Sequence, residues 1–458
     1  MKITVIGGGG VRSPFLAKSL ALSAADVGIT EVSFMDIDED KLLIYGKIAK
    51  EIFKRISPNV NFTLTMDSKE ALLGSDYIIT TIRASGDDGR VIDERTALTL
   101  GVLGQETTGA GGFAMALRSI PVLKKYCEEV RVYSNPNAVV FNFTNPSGLV
   151  TQALHTMGFK NVYGVCDAPA SFFNQIKHLL GKENITAECY GLNHLSWFYN
   201  FRENDKDILE QILESPKLYE DTEMRLFNKD IVQMCEYQLP NEYLYFYYFR
   251  DRAVSSVLKC DMTRGETIKK INDHMLNELK SIDIDNDFDK AFESFMQHFA
   301  MRENSYFSIE CGKVRKDIFK VPTVDEYIKS PDNGSYAAVA LDFIRAKELN
   351  KKVHMVMSIP NNGAISFLKD NDVCELSCIV DKNGVHTHKV NHIPAMQKNL
   401  ILTVKQYENL TVEAIMEKSK IKAVQALMMH PLVCSYTLAE KLVEEYTKIY
   451  KSYIGEWK

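Results

Sequence analysis

Three places in the chain carry residue types and spacings suited to chemistry. The first is Gly7-Gly8-Gly9-Gly10-Val11-Arg12-Ser13, which follows a short β-branched run and opens a helical stretch. Glycines there allow a tight turn and let the backbone approach a pyrophosphate, while the helix N-terminus supplies N–H donors. Asp36 ends the next strand-like run. A carboxylate at that position accepts hydrogen bonds from the adenosine ribose hydroxyls, which favours NAD over NADP; the spacing exceeds the usual ~20 residues, as a longer first helix would make it. The bland alternative is a nucleotide-free turn. The second place is the pair Cys166 and His194, in Val165-Cys166-Asp167-Ala168-Pro169 and Gly191-Leu192-Asn193-His194. A thiolate and an imidazole suit a divalent transition ion, and two protein ligands leave positions open for substrate oxygens. Taken singly, a buried cysteine is inert and a lone histidine satisfies a core hydrogen bond. The third is Phe143-Thr144-Asn145-Pro146-Ser147-Gly148, which follows another strand-like run.

These segments must be positioned by the elements before them. Runs at Lys2–Ile6, Glu31–Ile37, Asp76–Ile82, Ala138–Phe143 and Asn161–Val165 read as strands, with helical stretches from Val11 to about Ala25, over Glu39–Ile56 and between the later runs. Strands alternating with helices predict an α/β fold, a Rossmann-like doubly wound parallel sheet. Residues just past the C-termini of parallel strands converge on one crevice, so Cys166 and His194 can meet there. After about Asn200 the segments lengthen and become more charged, with strand-like pieces at His354–Ile359 and Glu375–Val380 and helical periodicity over Thr411–Met428 and Thr437–Tyr450. The expected division is residues 1–197 as an NAD-binding domain. Residues 198–458 would be a mixed α+β domain with a helical C-terminus, for substrate binding and oligomerisation.

Composition excludes several classes. The chain has 458 residues, 45% of them hydrophobic and 25% charged, the balance of a globular protein able to bury a large core without staples. Net charge is −6 with no long basic run, which argues against nucleic acid as a partner. No apolar run approaches the ~18–20 residues of a membrane span. The apolar start is too short for a signal-peptide core, and the nine cysteines, an odd number, are scattered; both suggest a reducing, cytoplasmic setting.

Several motifs, in order, resemble glycoside hydrolase family 4, the NAD- and metal-dependent glycosidases. Val5-Ile6-Gly7-Gly8-Gly9 is similar to the family's start. Gly101-Val102-Leu103-Gly104-Gln105-Glu106-Thr107-Thr108-Gly109 resembles its GV.GQET.G signature, continued by Gly111-Gly112-Phe113 and Leu117-Arg118-Ser119-Ile120-Pro121. Phe143–Gly148, Cys166–Pro169 and Gly191–His194 resemble its asparagine, cysteine and histidine motifs, and Leu239-Pro240-Asn241-Glu242-Tyr243-Leu244 its catalytic tyrosine segment. Ile359-Pro360-Asn361-Asn362-Gly363-Ala364-Ile365 resembles a late loop of the family. The resemblance implies that Gly7, Gly8, Gly9, Gly10, Val11 and Asp36 bind NAD. It implies that Cys166 and His194 hold a divalent metal, usually manganese, that Asn145 and Asn193 face substrate, and that Tyr243 is the base. Ligand chemistry alone would point to a softer ion than manganese. The implied route is redox-neutral: oxidation at sugar C3, loss of the C2 proton, elimination at C1, addition of water and return of the hydride, an exception to two-carboxylate hydrolysis. A tyrosine base needs a cation nearby to lower its pKa from ~10. Members of the family form homodimers or homotetramers, and the same is expected here.

Cys166-Asp167-Ala168-Pro169 looks like the 6-phospho-α-glucosidase branch, with Asp167 as general acid on the leaving oxygen, although Asp is also favoured at a helix start. Thr107–Ala114 is more like the 6-phospho-β-glucosidase branch, so the α anomer is only slightly ahead. A 6-phosphate needs a cationic clamp, for which Arg suits by bidentate geometry. Arg83 and Arg302 are the leading candidates, with Arg90 and Arg95 behind; after Arg302 stands Glu303-Asn304-Ser305-Tyr306, where the family carries Arg-Gly-Gly. Cys374, Cys378, His386, His388 and His392 fit no standard zinc spacing, and Lys418–Lys422 reads as a solvated face. The rival functions are an NAD-dependent hydroxy-acid dehydrogenase, whose late catalytic histidine motif is not apparent, and a non-catalytic NAD sensor.

Overall fold

The computed structural model describes residues 1–305, 307–312, 319–332 and 337–458. In chain order its strands are β1 (Lys2–Ile6), β2 (Glu31–Met35), β3 (Asn61–Thr65), β4 (Tyr77–Thr80), β5 (Val139–Asn142), β6 (Val162–Gly164) and β7 (Ile185–Leu192). They continue as β8 (Leu195–Glu203), β9 (Lys206–Asp207), β10 (Leu239–Pro240), β11 (Val353–Pro360), β12 (Val373–Asp381) and β13 (Gly384–Thr387). The first six pair in parallel in the order β3-β2-β1-β4-β5-β6. That is the doubly wound dinucleotide-binding order, whose strand order reverses beside β1. Val5, Ile6, Ile78, Ile79 and Phe141 are fully buried there, as a sheet covered by helices on both faces requires.

The sheet does not stop at β6. It runs on through antiparallel β11, β12, β7, β8 and β10. The strand-like pieces near residues 354 and 375 therefore join the sheet of the first half, and positions 197 and 198 both lie within β8. One expectation is corrected here. β7 is not a further parallel strand but one arm of a hairpin with β8, closed by the two-residue turn Asn193-His194. A turn that short can only reverse the chain; a parallel return would need a crossover of a dozen or more residues.

The Glu39–Ile56 stretch is helical but not uniform: Leu42–Gly46 is a π-helical turn between α-helical Glu39–Lys41 and Lys47–Ile56. The expected continuous helix over Thr411–Met428 is interrupted. Ala395–Glu417 ends at Lys418 (φ 55°), and Ser419 caps a new helix, Lys420–Met429. Apolar positions recur at helical spacing on both sides of the break, with Leu410, Ala414 and Ile415 buried before it and Ala423, Ala426 and Leu427 after it.

A second apolar cluster joins the two halves of the chain. Ile44, Tyr45, Ile48 and Ile52 pack against Met275, Leu279, Phe292 and Phe295 of the paired helices Arg264–Lys280 and Phe288–Asn304. Fully burying one such side chain is worth about 1.5–3 kcal/mol. This contact seats the helix pair at the edge of the crevice beyond β1 and β4.

Candidate active site

Gly7, with φ 104°, leaves β1 in a conformation that L side chains rarely adopt, and an ideal Cβ on it would lie 2.7 Å from Thr81 Oγ1. The turn is locked to the neighbouring strands: Gly7 N and Gly8 N both donate to Met35 O, at 2.8 Å each, and Thr81 N donates to Ile6 O at 2.8 Å. Gly9 N donates to Asp36 Oδ2 at 2.9 Å, so the glycine turn and the carboxylate beyond β2 are directly joined. Burial raises the Asp36 carboxyl above its ordinary range against the lowering by its backbone donors. The helix that follows, Ser13–Val27, has no side-chain cap on its N-terminal N–H groups. An uncapped helix start behind a glycine turn with an adjacent carboxylate is the cradle of a dinucleotide.

The turn opens onto a cavity of about 790 Å³. Gly7, Gly9, Gly10, Val11 and Asp36 line it, as do Asn145, Cys166, Asp167, His194 and Tyr243, and also Arg83 and Arg302. Of the candidate site residues, Gly8, Asn193 and Arg95 do not line it. A Cβ on Gly8 would meet Phe34 Cβ at 2.6 Å, so that glycine serves the packing of the turn on β2. Asn193 faces the sheet, where Nδ2 donates to Glu375 Oε1 at 3.0 Å and Oδ1 accepts from Gly148 N at 3.4 Å.

His194 sits in the β7–β8 turn with φ 62°, a left-handed conformation uncommon for a residue with a side chain. Its Nε2 lies 3.6 Å from Cys166 Sγ. Two bonds of the lengths zinc makes to sulfur and nitrogen, at a tetrahedral angle, separate the donors by about 3.6 Å. The pair therefore fits one shared divalent ion without rearrangement. The tautomer fits as well. Gln105 Oε1 accepts the backbone N–H groups of Thr107 and Thr108 at 2.7 and 2.8 Å, and the Thr107 hydroxyl at 2.9 Å. With its proton so engaged, Thr107 Oγ1 accepts from His194 Nδ1, 2.9 Å away. That leaves the Nε2 lone pair facing the thiol, an orientation metal-binding histidines owe to their outer partners. Burial pushes His194 down to about 4, so the ring is neutral at pH 7. Burial, with Asp167 and Glu375 nearby, pushes the Cys166 thiol well up; a coordinated cation reverses this and deprotonates it.

The Tyr243 ring stacks on the His194 ring, with centroids 3.7 Å apart and planes 7° from parallel. Of the aromatic run after it, Tyr245 is buried, while Tyr247 and Tyr248 pack half-buried against the core. Asp167 precedes the helix Ala168–Leu180 but does not cap it. Its Oδ2 instead pairs with Arg12 Nη1 at 2.9 Å, across the cavity mouth from the glycine turn.

Arg83 and Arg302 differ in what they have left to offer. Arg83 Nη1 is 2.5 Å from Glu106 Oε2, and Arg90 Nη1 is 3.1 Å from Glu106 Oε1. Burial alone would raise Glu106, but Arg83 and Arg90 outweigh it and hold the carboxyl down to about 2. Arg302 donates from Nη1 to Asn272 Oδ1 at 2.8 Å, whereas its buried Nε has no hydrogen-bond partner among the described residues. Burial lowers Arg302 to about 10 in spite of Asp87. Tyr306, in the segment after Arg302, lies outside the described residues. Arg95 is bound to Glu266 on the surface. Cys374 and Cys378 are buried on β12, and His386, His388 and His392 pair with Asp381, Glu188 and Glu236 respectively.

Arg12, Gln105, Thr107 and Asn272 were not assigned roles from sequence. The first three lie inside quoted motifs, so their positions were marked although their contacts were not. Asn272 carries no local signal.

The profile described as Family 4 glycosyl hydrolase matches residues 2–182, and that described as Family 4 glycosyl hydrolase C-terminal domain matches residues 189–433. The 6-phospho-beta-glucosidase BglT of Thermotoga maritima is 31% identical over 99% of both chains. The maltose-6'-phosphate glucosidase MalH of Clostridium acetobutylicum is 28% identical over 99% of this chain and 98% of its own. The Thermotoga maritima 6-phospho-beta glucosidase crystallised with manganese, NAD+ and glucose-6-phosphate superimposes with a TM-score of 0.81 at 28% identity, covering 100% of each chain. A 6-phospho-alpha-glucosidase from gut microorganisms, in complex with NAD and glucose-6-phosphate, also gives 0.81 at 26% identity, over 100% of this chain and 99% of its own. With a Rossmann-like half and a C-terminal half both matched along their length, the chain belongs to glycosyl hydrolase family 4 and is a glycosidase.

Proposed function

We propose that this protein hydrolyses 6-phospho-glucosides, phosphorylated disaccharides among them, with the α anomer favoured. The observation that carries this reading is the one cavity lined by the glycine turn, the Cys166–His194 pair and Arg302, whose guanidinium is only partly satisfied. NAD on Gly7–Val11 and Asp36 supplies a hydride acceptor that becomes the donor later in the same turnover, and a divalent ion on Cys166 and His194 supplies Lewis acidity beside it. Arg302 meets the 6-phosphate by its free donor edge, and Asn145 orients the sugar ring against the Cys–His pair. Tyr243, held flat against His194, takes the C2 proton. Asp167, once an anionic ligand has drawn Arg12 away and solvent has protonated its carboxylate, gives that proton to the departing oxygen and regains one from the attacking water. The β7–β8 turn and the helix Arg264–Lys280 close the two sides of the cavity.

Asp167 supports the α reading, because its carboxylate points into the cavity and does no capping. The β reading is favoured instead by the 31% identity to a named 6-phospho-beta-glucosidase. Hydrolysis of maltose 6′-phosphate and cellobiose 6′-phosphate separates them, assayed with NAD+, Mn2+ and a thiol reductant and with each omitted in turn. Cleavage of the α-linked sugar alone supports the reading. Cleavage of the β-linked sugar alone makes Asp167 incidental. Steady accumulation of NADH without cleavage of either refutes the glycosidase reading of this site. All nine cysteines are free, which suits work in a reducing compartment such as the cytoplasm.

A further inference from the structure

Away from the cavity, two of the helices that wall it share a second constellation of metal-binding side chains. His274 and Glu278 stand one turn apart on Arg264–Lys280, and His298 faces them from Phe288–Asn304. One potential ligand atom from each lies within 4.8 Å of the others. Glu278 Oε2 is 3.7 Å from His298 Nε2 and 4.0 Å from His274 Nε2.

The groups behind these atoms fix which of them are available. His298 is buried, and its Nδ1 donates to Ser294 O at 2.9 Å, so Nε2 is the nitrogen that faces Glu278. Glu278 Oε1 is engaged by Ser294 Oγ at 2.8 Å, so Oε2 is the oxygen left to face the two rings. Nε2 of His298 and Oε2 of Glu278 thus converge on one point beside His274, where a cation can bridge them. Ligand rings oriented by a backbone carbonyl, and ligand carboxylates held by a hydroxyl, are the outer-layer pattern of metal sites. His274 is mostly exposed and free to swing inward, which the site requires, since tetrahedral ligands lie about 3.3 Å apart.

We propose that His274, Glu278 and His298 form a second divalent transition-metal site, of the zinc class, with a water completing the coordination. Two imidazoles and one carboxylate suit zinc, nickel or copper ions better than magnesium or calcium. The ion ties the two helices together. Arg302 stands one turn beyond His298, and Asn272 and Asp273 immediately precede His274, so the same clamp steadies the wall of the substrate cavity.

The test uses full-length protein in which Cys166→Ser removes the thiolate of the first site. After loading with Zn2+ and gel filtration, this variant is expected to retain about one equivalent, and His274→Ala or Glu278→Gln in the same background almost none. Co2+ in the Cys166→Ser protein should give visible d–d bands without a sulfur charge-transfer band, and Zn2+ should raise its Tm but not that of the His274→Ala protein. Ser294→Ala should weaken Zn2+ binding roughly 10–100-fold. Should Cys166→Ser fold poorly, the wild-type protein is counted against His274→Ala alone, with a fall of one equivalent expected. The proposal is overturned if Cys166→Ser retains no Zn2+, or if His274→Ala leaves the count unchanged.

Discussion

Replacing Thr107 by Val tests whether the outer hydrogen-bond chain sets the metal affinity of His194. Valine keeps the shape and removes the one oxygen that accepts from His194 Nδ1, at 2.9 Å. His194 is 4% exposed, so water does not readily take the place of that oxygen. Leaving a buried ring N–H without a partner costs about 1–3 kcal/mol. The ring regains a partner by moving its proton to Nε2 or by turning, and either removes the lone pair from Cys166. The loss then falls on metal binding, where outer partners are typically worth 10–100-fold, or roughly 1.4–2.7 kcal/mol. The assay is Mn2+ binding by the EPR signal of the free ion, with the Mn2+ dependence of hydrolysis at saturating NAD+ alongside it. Thr107→Val should weaken Mn2+ by that factor and leave the Kd for NAD+ unchanged, since the glycine turn contacts neither residue. Thr107→Ser should restore most of the affinity. Unchanged Mn2+ affinity in Thr107→Val, or equal loss in Thr107→Ser, would refute the reasoning.

Tyr243→Phe should stop exchange of the substrate C2 proton in D2O, followed by NMR, while Mn2+ and NAD+ still bind; persistent exchange would mean another base. Arg302→Gln should raise KM for a 6-phosphorylated glucoside about 10–150-fold, the loss of one charged hydrogen-bonding partner of about 1.5–3 kcal/mol. It should do so far more than for the unphosphorylated sugar, and equal effects on both would exclude a phosphate contact. Glu106 predicts a pH effect. In the folded protein its carboxyl is held down to about 2, below the ordinary value of 4.5, so it stabilises the fold above pH 4.5 and that contribution is lost as pH falls towards 2. The shift corresponds to at most about 3 kcal/mol. Glu106→Gln should therefore lower Tm markedly at pH 7 and very little near pH 2.5; a Tm difference that is constant with pH contradicts it.

Local features were legible where the chemistry is local. Lys2–Ile6 reads as a strand because its β-branched run ends at a row of glycines, and it matches β1 residue for residue. The helix break at Lys418-Ser419 was invisible because apolar spacing continues across it; only the left-handed φ of Lys418 marks it. Asp167, read as a general acid, had a helix cap as its alternative because Asp is favoured at a helix start. Its partner, Arg12, lies 155 residues earlier, and no local rule could have paired them.

By itself the sequence determined the first half of the sheet, the glycine turn with its carboxylate, and the order of motifs that marks the family. These depend on short-range patterns: strand and helix period, turn chemistry, residues next to one another. What only the tertiary structure decided is how distant segments share one space. β11 and β12 enter between β6 and β7, so a strand from the last quarter of the chain supplies Glu375 behind Asn193 and His194. His194 reaches Cys166 through a hairpin and not through a parallel crossover. Arg302 enters the cavity on a helix pair seated by apolar contact with Tyr45 and Ile48. Such contacts arise from burial of apolar surface, which is non-directional, and a linear pattern shows which faces are buried without showing against what.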